Sequence, residues 1–153
     1  MTETRTSHPP SLSTPVLERF SWWQAILGGV AIAVLANLGV LAIGLAAGAS
    51  FVYVDEGTTN TVSEVDVILS SAIPLTAGTL LAALVARWWP VVLRLAQIVG
   101  AGLALATIAG ALAAETDSGT RIALAAMHVV IAVVVVLVLE SLHRSARHRR
   151  YAG

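Results

Sequence analysis

Ala86-Arg87-Trp88-Trp89-Pro90, with Arg94 just beyond it, interrupts an apolar run that is too long for one membrane crossing. Read as a single helix, the run from Asp66 to Ala114 would be about 74 Å long at about 1.5 Å per residue, against a hydrocarbon core of about 30 Å. It must fold back on itself. Pro90 has no N–H to donate, so it is tolerated in the first turn of a new helix, and its ring pushes Trp89 away from helical geometry. Trp88 and Trp89 suit the headgroup boundary, where an apolar ring and a polar N–H are both accommodated, and Arg87 and Arg94 assign the turn to the cytoplasmic side. Two helices are expected, over about 66–88 and 90–114.

The composition agrees. A chain of 153 residues with 57% hydrophobic residues, 12% charged residues and a mean hydropathy of +0.83 has too few polar side chains to cover a globule of its size. The zero net charge hides a segregation of charges into short segments between uncharged runs. Every Lys or Arg position is Arg, which together with abundant Ala, Val and Gly reflects the coding bias of a GC-rich genome. The absence of Cys excludes disulfides, thiolate metal sites and thiol redox catalysis, and with them the four-helix quinone and disulfide reductases.

Upstream, residues 1–20 carry Pro9, Pro10 and Pro15 among Ser and Thr without apolar periodicity, the pattern of a disordered tail. Trp22 and Trp23 repeat the interfacial pair, and a first helix is expected over about 24–48. Ala47-Gly48-Ala49 resembles a signal cleavage site, but the apolar run of about 25 residues exceeds the about 7–15 of a secretory segment, so the helix is expected to stay. Residues 50–65 form the one sizeable polar loop. Phe51-Val52-Tyr53-Val54, Asp55-Glu56-Gly57 and Thr58 to Val62 fit either a short β-hairpin or an irregular acidic loop. Pro74 cannot donate to the Ser70 carbonyl, so a bend is expected there, with the Ser70 and Ser71 hydroxyls serving freed backbone groups and Gly78 allowing a neighbour to approach. Glu115-Thr116-Asp117-Ser118-Gly119 is a turn, and a fourth helix is expected over about 120–141, followed by a basic tail over 143–153.

Arg5, Arg19, Arg87, Arg94, Arg144, Arg147, Arg149 and Arg150 fall on one side of this arrangement. Only Arg121 falls on the other, beside Asp55, Glu56, Glu64, Asp66, Glu115 and Asp117. Arginine bias therefore puts both termini in the cytoplasm of a multi-pass cell-membrane protein. The expected fold is an all-α, antiparallel bundle of four transmembrane helices over residues 21–142. Trp22, Trp23, Arg87, Trp88, Trp89 and Arg94 are its interfacial anchors, and the basic tail faces anionic lipid headgroups rather than nucleic acid.

Helices in lipid associate through close packing of small residues and interhelical hydrogen bonds. Heptad-like stripes run through Ala33, Asn37, Val40, Gly44 and Ala47, through Ala72, Thr76, Thr79, Ala83 and Ala86, through Gln97, Gly100, Ala104, Thr107 and Ala111, and through Arg121, Ala125, His128, Ala132 and Val135. Counted from the non-cytoplasmic ends, Asn37, Thr76 and His128 all lie about ten residues in, near mid-depth. They form either a substrate or ion site or, as the favoured reading, interhelical hydrogen bonds. One His without a carboxylate or Cys at its level falls short of a metal ligand set, and no cofactor is expected.

Ser71-Ala72-Ile73-Pro74-Leu75-Thr76-Ala77-Gly78 and Ala123-Leu124-Ala125-Ala126-Met127-His128-Val129-Val130 resemble a family of small actinobacterial four-helix membrane proteins classed as a domain of unknown function. The resemblance covers about Trp22 to Leu142 and implies an integral membrane protein without assigned activity. It draws attention to Pro74, Gly78 and His128 without giving them a role.

Two functions follow as expectations. The first is a structural or partner-binding membrane protein, with a second copy or another membrane protein as partner. The second is a small transporter or channel. Small four-helix multidrug exporters carry a membrane-embedded Glu in their first helix, whereas Asn37 occupies that depth here and cannot titrate. No nucleophile–base pair, carboxylate pair or metal set lies at one depth, so an enzyme is not expected.

Overall fold

The structure, a computed structural model, describes residues 22–55 and 57–151, so the tail over 1–20, with Arg5 and Arg19, lies outside the described residues, as does Glu56. In chain order the elements are α1 (Trp22–Ala46), β1 (Val52–Asp55), β2 (Thr58–Thr61), α2 (Glu64–Val85), α3 (Val92–Ala113) and α4 (Ser118–Tyr151). Each of α1, α2 and α3, and Ser118–Ser145 within α4, is long and apolar enough to cross a membrane.

The helix boundaries follow from local chemistry. α1 ends two residues earlier than polarity suggests, because Gly48 adopts φ 87 and closes a left-handed cap: its N–H donates to Leu45 O (3.0 Å) and that of Ala49 to Gly44 O (2.9 Å). The cleavage-like triplet is thus a helix stop. α2 begins at Glu64 rather than Asp66, since Ser63 and Asp66 form a capping box in which the Ser63 N–H donates to Asp66 Oδ2 at 2.9 Å. It continues unbroken through Pro74. The turn expected at Trp88-Trp89-Pro90 is present, and both tryptophans are 68% exposed. α3 starts at Val92 because the proline turn takes up the two residues before it. α4 does not stop near Ser141. The basic stretch from His143, with four helix-tolerant Arg and one Ala, continues it to Tyr151.

The β-hairpin is formed. β1 and β2 pair antiparallel in the register Val52↔Thr61, Tyr53↔Asn60, Val54↔Thr59 and Asp55↔Thr58. It does not stand alone, because Val54 bridges Glu115 and the Thr116 hydroxyl donates to the Val52 carbonyl. The α3–α4 turn therefore acts as a third partner, which gives a marginal two-stranded element its support.

Helix packing centres on α4, which lies against α1 and α3. α1 also packs on α2, while α2 touches α3 and α4 more sparingly. A Cβ on Gly29 would lie 2.1 Å from Val138 Cγ2, and one on Gly44 would lie 3.4 Å from Ala123 Cβ, so α1 and α4 run antiparallel at close approach. Gly100 of α3 meets Val135 of α4 in the same way, at 2.9 Å. Two apolar clusters result. Leu41, Phe51, Val67, Ala123 and Met127 fill the hairpin end, and Ile26, Leu75, Leu93, Val134, Val138 and Leu139 fill the tryptophan end.

The small-residue stripes hold in part. Ala33, Asn37, Thr79, Gln97, Ala104 and Ala132 are buried, but α2 turns the face of Val67, Ser71, Leu75, Thr79 and Ala82 inward, one residue round from the expected one. Gly78 is a correction. It is exposed, and a Cβ there would meet nothing within 4 Å among the described residues, so none of the described helices approaches it.

Candidate functional site

Between the two apolar clusters lies a polar contact. Asn37, 2% exposed, sits one turn from Ala33 on one side and from Leu41 on the other, and its Nδ2 donates to Ser71 Oγ at 2.9 Å across the α1–α2 seam. Its Oδ1 is buried without a hydrogen-bond partner among the described residues.

The expected three-residue cluster does not assemble. Thr76 lies five residues beyond Ser71, about 7.5 Å further along the axis. It is half-buried, and its carbonyl accepts from the Thr79 hydroxyl at 3.3 Å. His128 Nδ1 bonds to the Leu124 carbonyl of its own helix at 2.7 Å. A carbonyl only accepts, so Nδ1 carries a proton in this bond. Ser71, read from the sequence as serving the backbone near Pro74, is the actual partner of Asn37.

A second polar group, unanticipated as a group, occupies the tryptophan end. Glu140 of α4 receives Arg94 NH1 at 3.0 Å on Oε2 and Arg144 Nε at 2.9 Å on Oε1. Gln97, buried on α3, accepts from Arg94 NH1 at 3.0 Å and donates Nε2 to Val136 O at 3.1 Å and to Glu140 Oε2 at 3.4 Å. This network ties α3 to α4 where α3 otherwise buries little beyond Leu93 and Ala104. Glu140 was overlooked because it falls inside the last apolar run. Its spacing of four residues from Arg144 was the available signal.

At the hairpin end Asp117 gathers three segments. Its Oδ1 accepts the Thr120 N–H at 2.9 Å, capping α4, while Oδ2 accepts the Thr120 hydroxyl at 2.7 Å, the Ser50 N–H at 3.1 Å and the Ser50 hydroxyl. Thr120 in turn accepts the Phe51 N–H at 2.8 Å. The hydrogen bonds from Ser50 and then Thr120 hold the Asp117 carboxyl well below the usual carboxylate range. A carboxyl whose folded pKa is depressed contributes stability that is complete above its unfolded value, about 3.9, and fades only as pH falls below it. This cap therefore survives mild acid.

Among the described residues no three His, Asp or Glu side chains converge as a metal set would require. The family described as "Family of unknown function (DUF6069)" matches residues 17–145. No curated protein and no solved structure matches the chain.

Proposed function

The chain belongs to the family of unknown function (DUF6069), which brings no activity with it, and we propose from the geometry that it is a four-helix integral membrane protein with a structural or partner-binding role. Exposed Leu27, Ile32, Leu35, Ile43, Ile98, Leu103 and Leu137 give the helices the surface that lipid solvates. The observation that carries the reading is the use made of the mid-depth polar groups. Asn37 fastens α1 to α2 and His128 is held by its own helix, so neither is poised around a common ligand. The hairpin and the basic end of α4 are the contact surfaces, and the bilayer with anionic headgroups, a second copy, or another membrane protein are the partners. The reading assigns no catalytic step to the chain.

The arginine distribution supports a topology with both termini in the cytoplasm. Because the chain has no Cys, a single cysteine at Thr59 or Ser118 should react with an impermeant thiol reagent in intact cells, whereas one at Ser145 should react only after permeabilisation. Labelling of intact cells at Ser145 alone would invert the topology. Thr59 is preferred to Ser50 because the Ser50 hydroxyl is engaged by Asp117.

The transport alternative rests on one atom, Asn37 Oδ1, which has no hydrogen-bond partner among the described residues. If the polar groups serve packing, Asn37→Leu should cost about 1 kcal/mol of stability in detergent, within the range measured for interhelical hydrogen bonds. His128→Leu should cost less, since the Leu124 carbonyl already belongs to the helix ladder. A loss from His128→Leu as large as that from Asn37→Leu would favour a shared polar site for a transported ligand instead.

A further inference from the structure

The tryptophan end carries two arginines whose positions are set by one carboxylate. Glu140, with its side chain 25% exposed, bonds Arg94 through Oε2 and Arg144 through Oε1, and Gln97 bonds both Arg94 and Glu140 from beneath. The arginine side chains themselves remain 53% and 74% exposed. A guanidinium has five N–H donors in a planar fork. Arg94 spends NH1 on Glu140 and Gln97, and Arg144 spends Nε on Glu140; among the described residues the remaining N–H groups have no protein partner. Two cations and one anion leave one net positive charge. On the adjoining turn Trp88 and Trp89 project from the protein, the placement of rings at a headgroup layer.

We propose that Arg94 and Arg144, splayed on either side of Glu140, form a docking notch for the phosphate of an anionic phospholipid. Planar guanidinium forks match phosphate oxygens in bidentate geometry, and the shared carboxylate fixes both forks before the ligand arrives, which lowers the ordering cost of binding. The net charge of the trio complements a phosphodiester. The acyl chains would extend along the apolar surface that α3 exposes at Leu95, Ile98 and Val99. The proposal rests on the membrane reading and deepens it by separating one fixed lipid site from the diffuse attraction of the basic helix end.

The test uses the full chain with Trp22→Phe and Trp23→Phe, so that Trp88 and Trp89 report, in nanodiscs of zwitterionic lipid doped with a brominated phospholipid that quenches tryptophan on contact. Quenching by brominated phosphatidylglycerol should correspond to about fivefold local enrichment over brominated phosphatidylcholine, the factor one net charge near a membrane surface confers. Arg94→Gln with Arg144→Gln should abolish the enrichment, and its persistence would overturn the proposal. Glu140→Gln raises the local positive charge yet releases the forks. The notch predicts reduced enrichment there, and an increase would mean diffuse electrostatics. Arg147→Gln, Arg149→Gln and Arg150→Gln together should leave enrichment at Trp88 and Trp89 intact. Its loss would overturn the notch while leaving lipid attraction to the basic end standing. Inorganic phosphate should not displace the lipid, and displacement would reassign the site to a free anion. Should Glu140→Gln fail to fold by circular dichroism, the arginine and helix-end variants decide without it. Failure of the parent chain to insert into nanodiscs would instead strike the membrane reading itself.

Discussion

Phe51→Ala should destabilise the protein by about 3 kcal/mol, at the level of other buried Phe to Ala truncations, with the loss concentrated at the hairpin end. Phe51 is 1% exposed, and its ring lies against Gly44, where an added Cβ would come within 2.7 Å of Cζ. Its backbone is unusual as well, with φ 51, a left-handed conformation that costs a bulky residue on the order of 1–3 kcal/mol. The surroundings enforce it. Ser50 is held by Asp117 on one side, the Phe51 N–H is fixed to Thr120 Oγ1, and the Phe51 carbonyl accepts the Val62 N–H at 2.8 Å. The ring thus plugs the gap between α1 and α4 while its backbone enters the hairpin. Phe51→Gly removes the same ring but relieves the left-handed strain, so it should be no less stable than Phe51→Ala, the reverse of the usual order of Ala and Gly. Thermal unfolding in detergent, with exchange of the Val52 to Thr61 amides, measures both. A Gly variant clearly weaker than the Ala variant would mean that the conformation is not strained.

This end of the molecule also shows how far the sequence could be read. The alternation from Phe51 to Val62 was enough to raise a hairpin, because strand propensity and a Gly-containing turn are local signals. The docking of that hairpin on Glu115 and Thr116 was not legible, since it depends on where the α3–α4 turn lies in space. The four helices long and apolar enough to cross a membrane, and the turn at Pro90, were legible for the same local reason: apolar length and a residue that cannot continue a helix. The pairing of Asn37 was misread because counting residues inward from each helix end assumes that all helices begin at one height. The capping box at Ser63 starts α2 early, and its inward face is carried by Ser71 rather than Thr76. Glu140 illustrates a different limit. Its partner one turn on, Arg144, was visible in the sequence, but the bond to Arg94 appears only once an antiparallel neighbour brings that residue to its level.

Gly29→Ala should destabilise the α1–α4 seam by about 1–3 kcal/mol, the range for overpacking a close-fitted interface. The new Cβ would stand 2.1 Å from Val138 Cγ2 and 3.6 Å from Val134 Cγ1, and two carbons cannot share the first of those distances. Val138 has little room to yield. A β-branched side chain in a helix has one strongly preferred χ1, so moving its methyl aside means leaving that well or separating the helices. Separation would loosen Ile26, Ala33, Val134 and Leu142 together, because they belong to the same buried cluster. The cause can be isolated by making room. Val138→Ala alone should lose stability through the space it leaves, whereas Gly29→Ala with Val138→Ala should lose less than the two added separately, with a coupling on the order of 1 kcal/mol. Gly78→Leu provides the contrast, since nothing lies within 4 Å of a Cβ there and the variant should unfold close to the wild-type temperature. Additive behaviour of the Gly29 and Val138 changes would show that the helices do not meet at these residues. A large loss from Gly78→Leu would point to a second copy packed on the exposed face of α2.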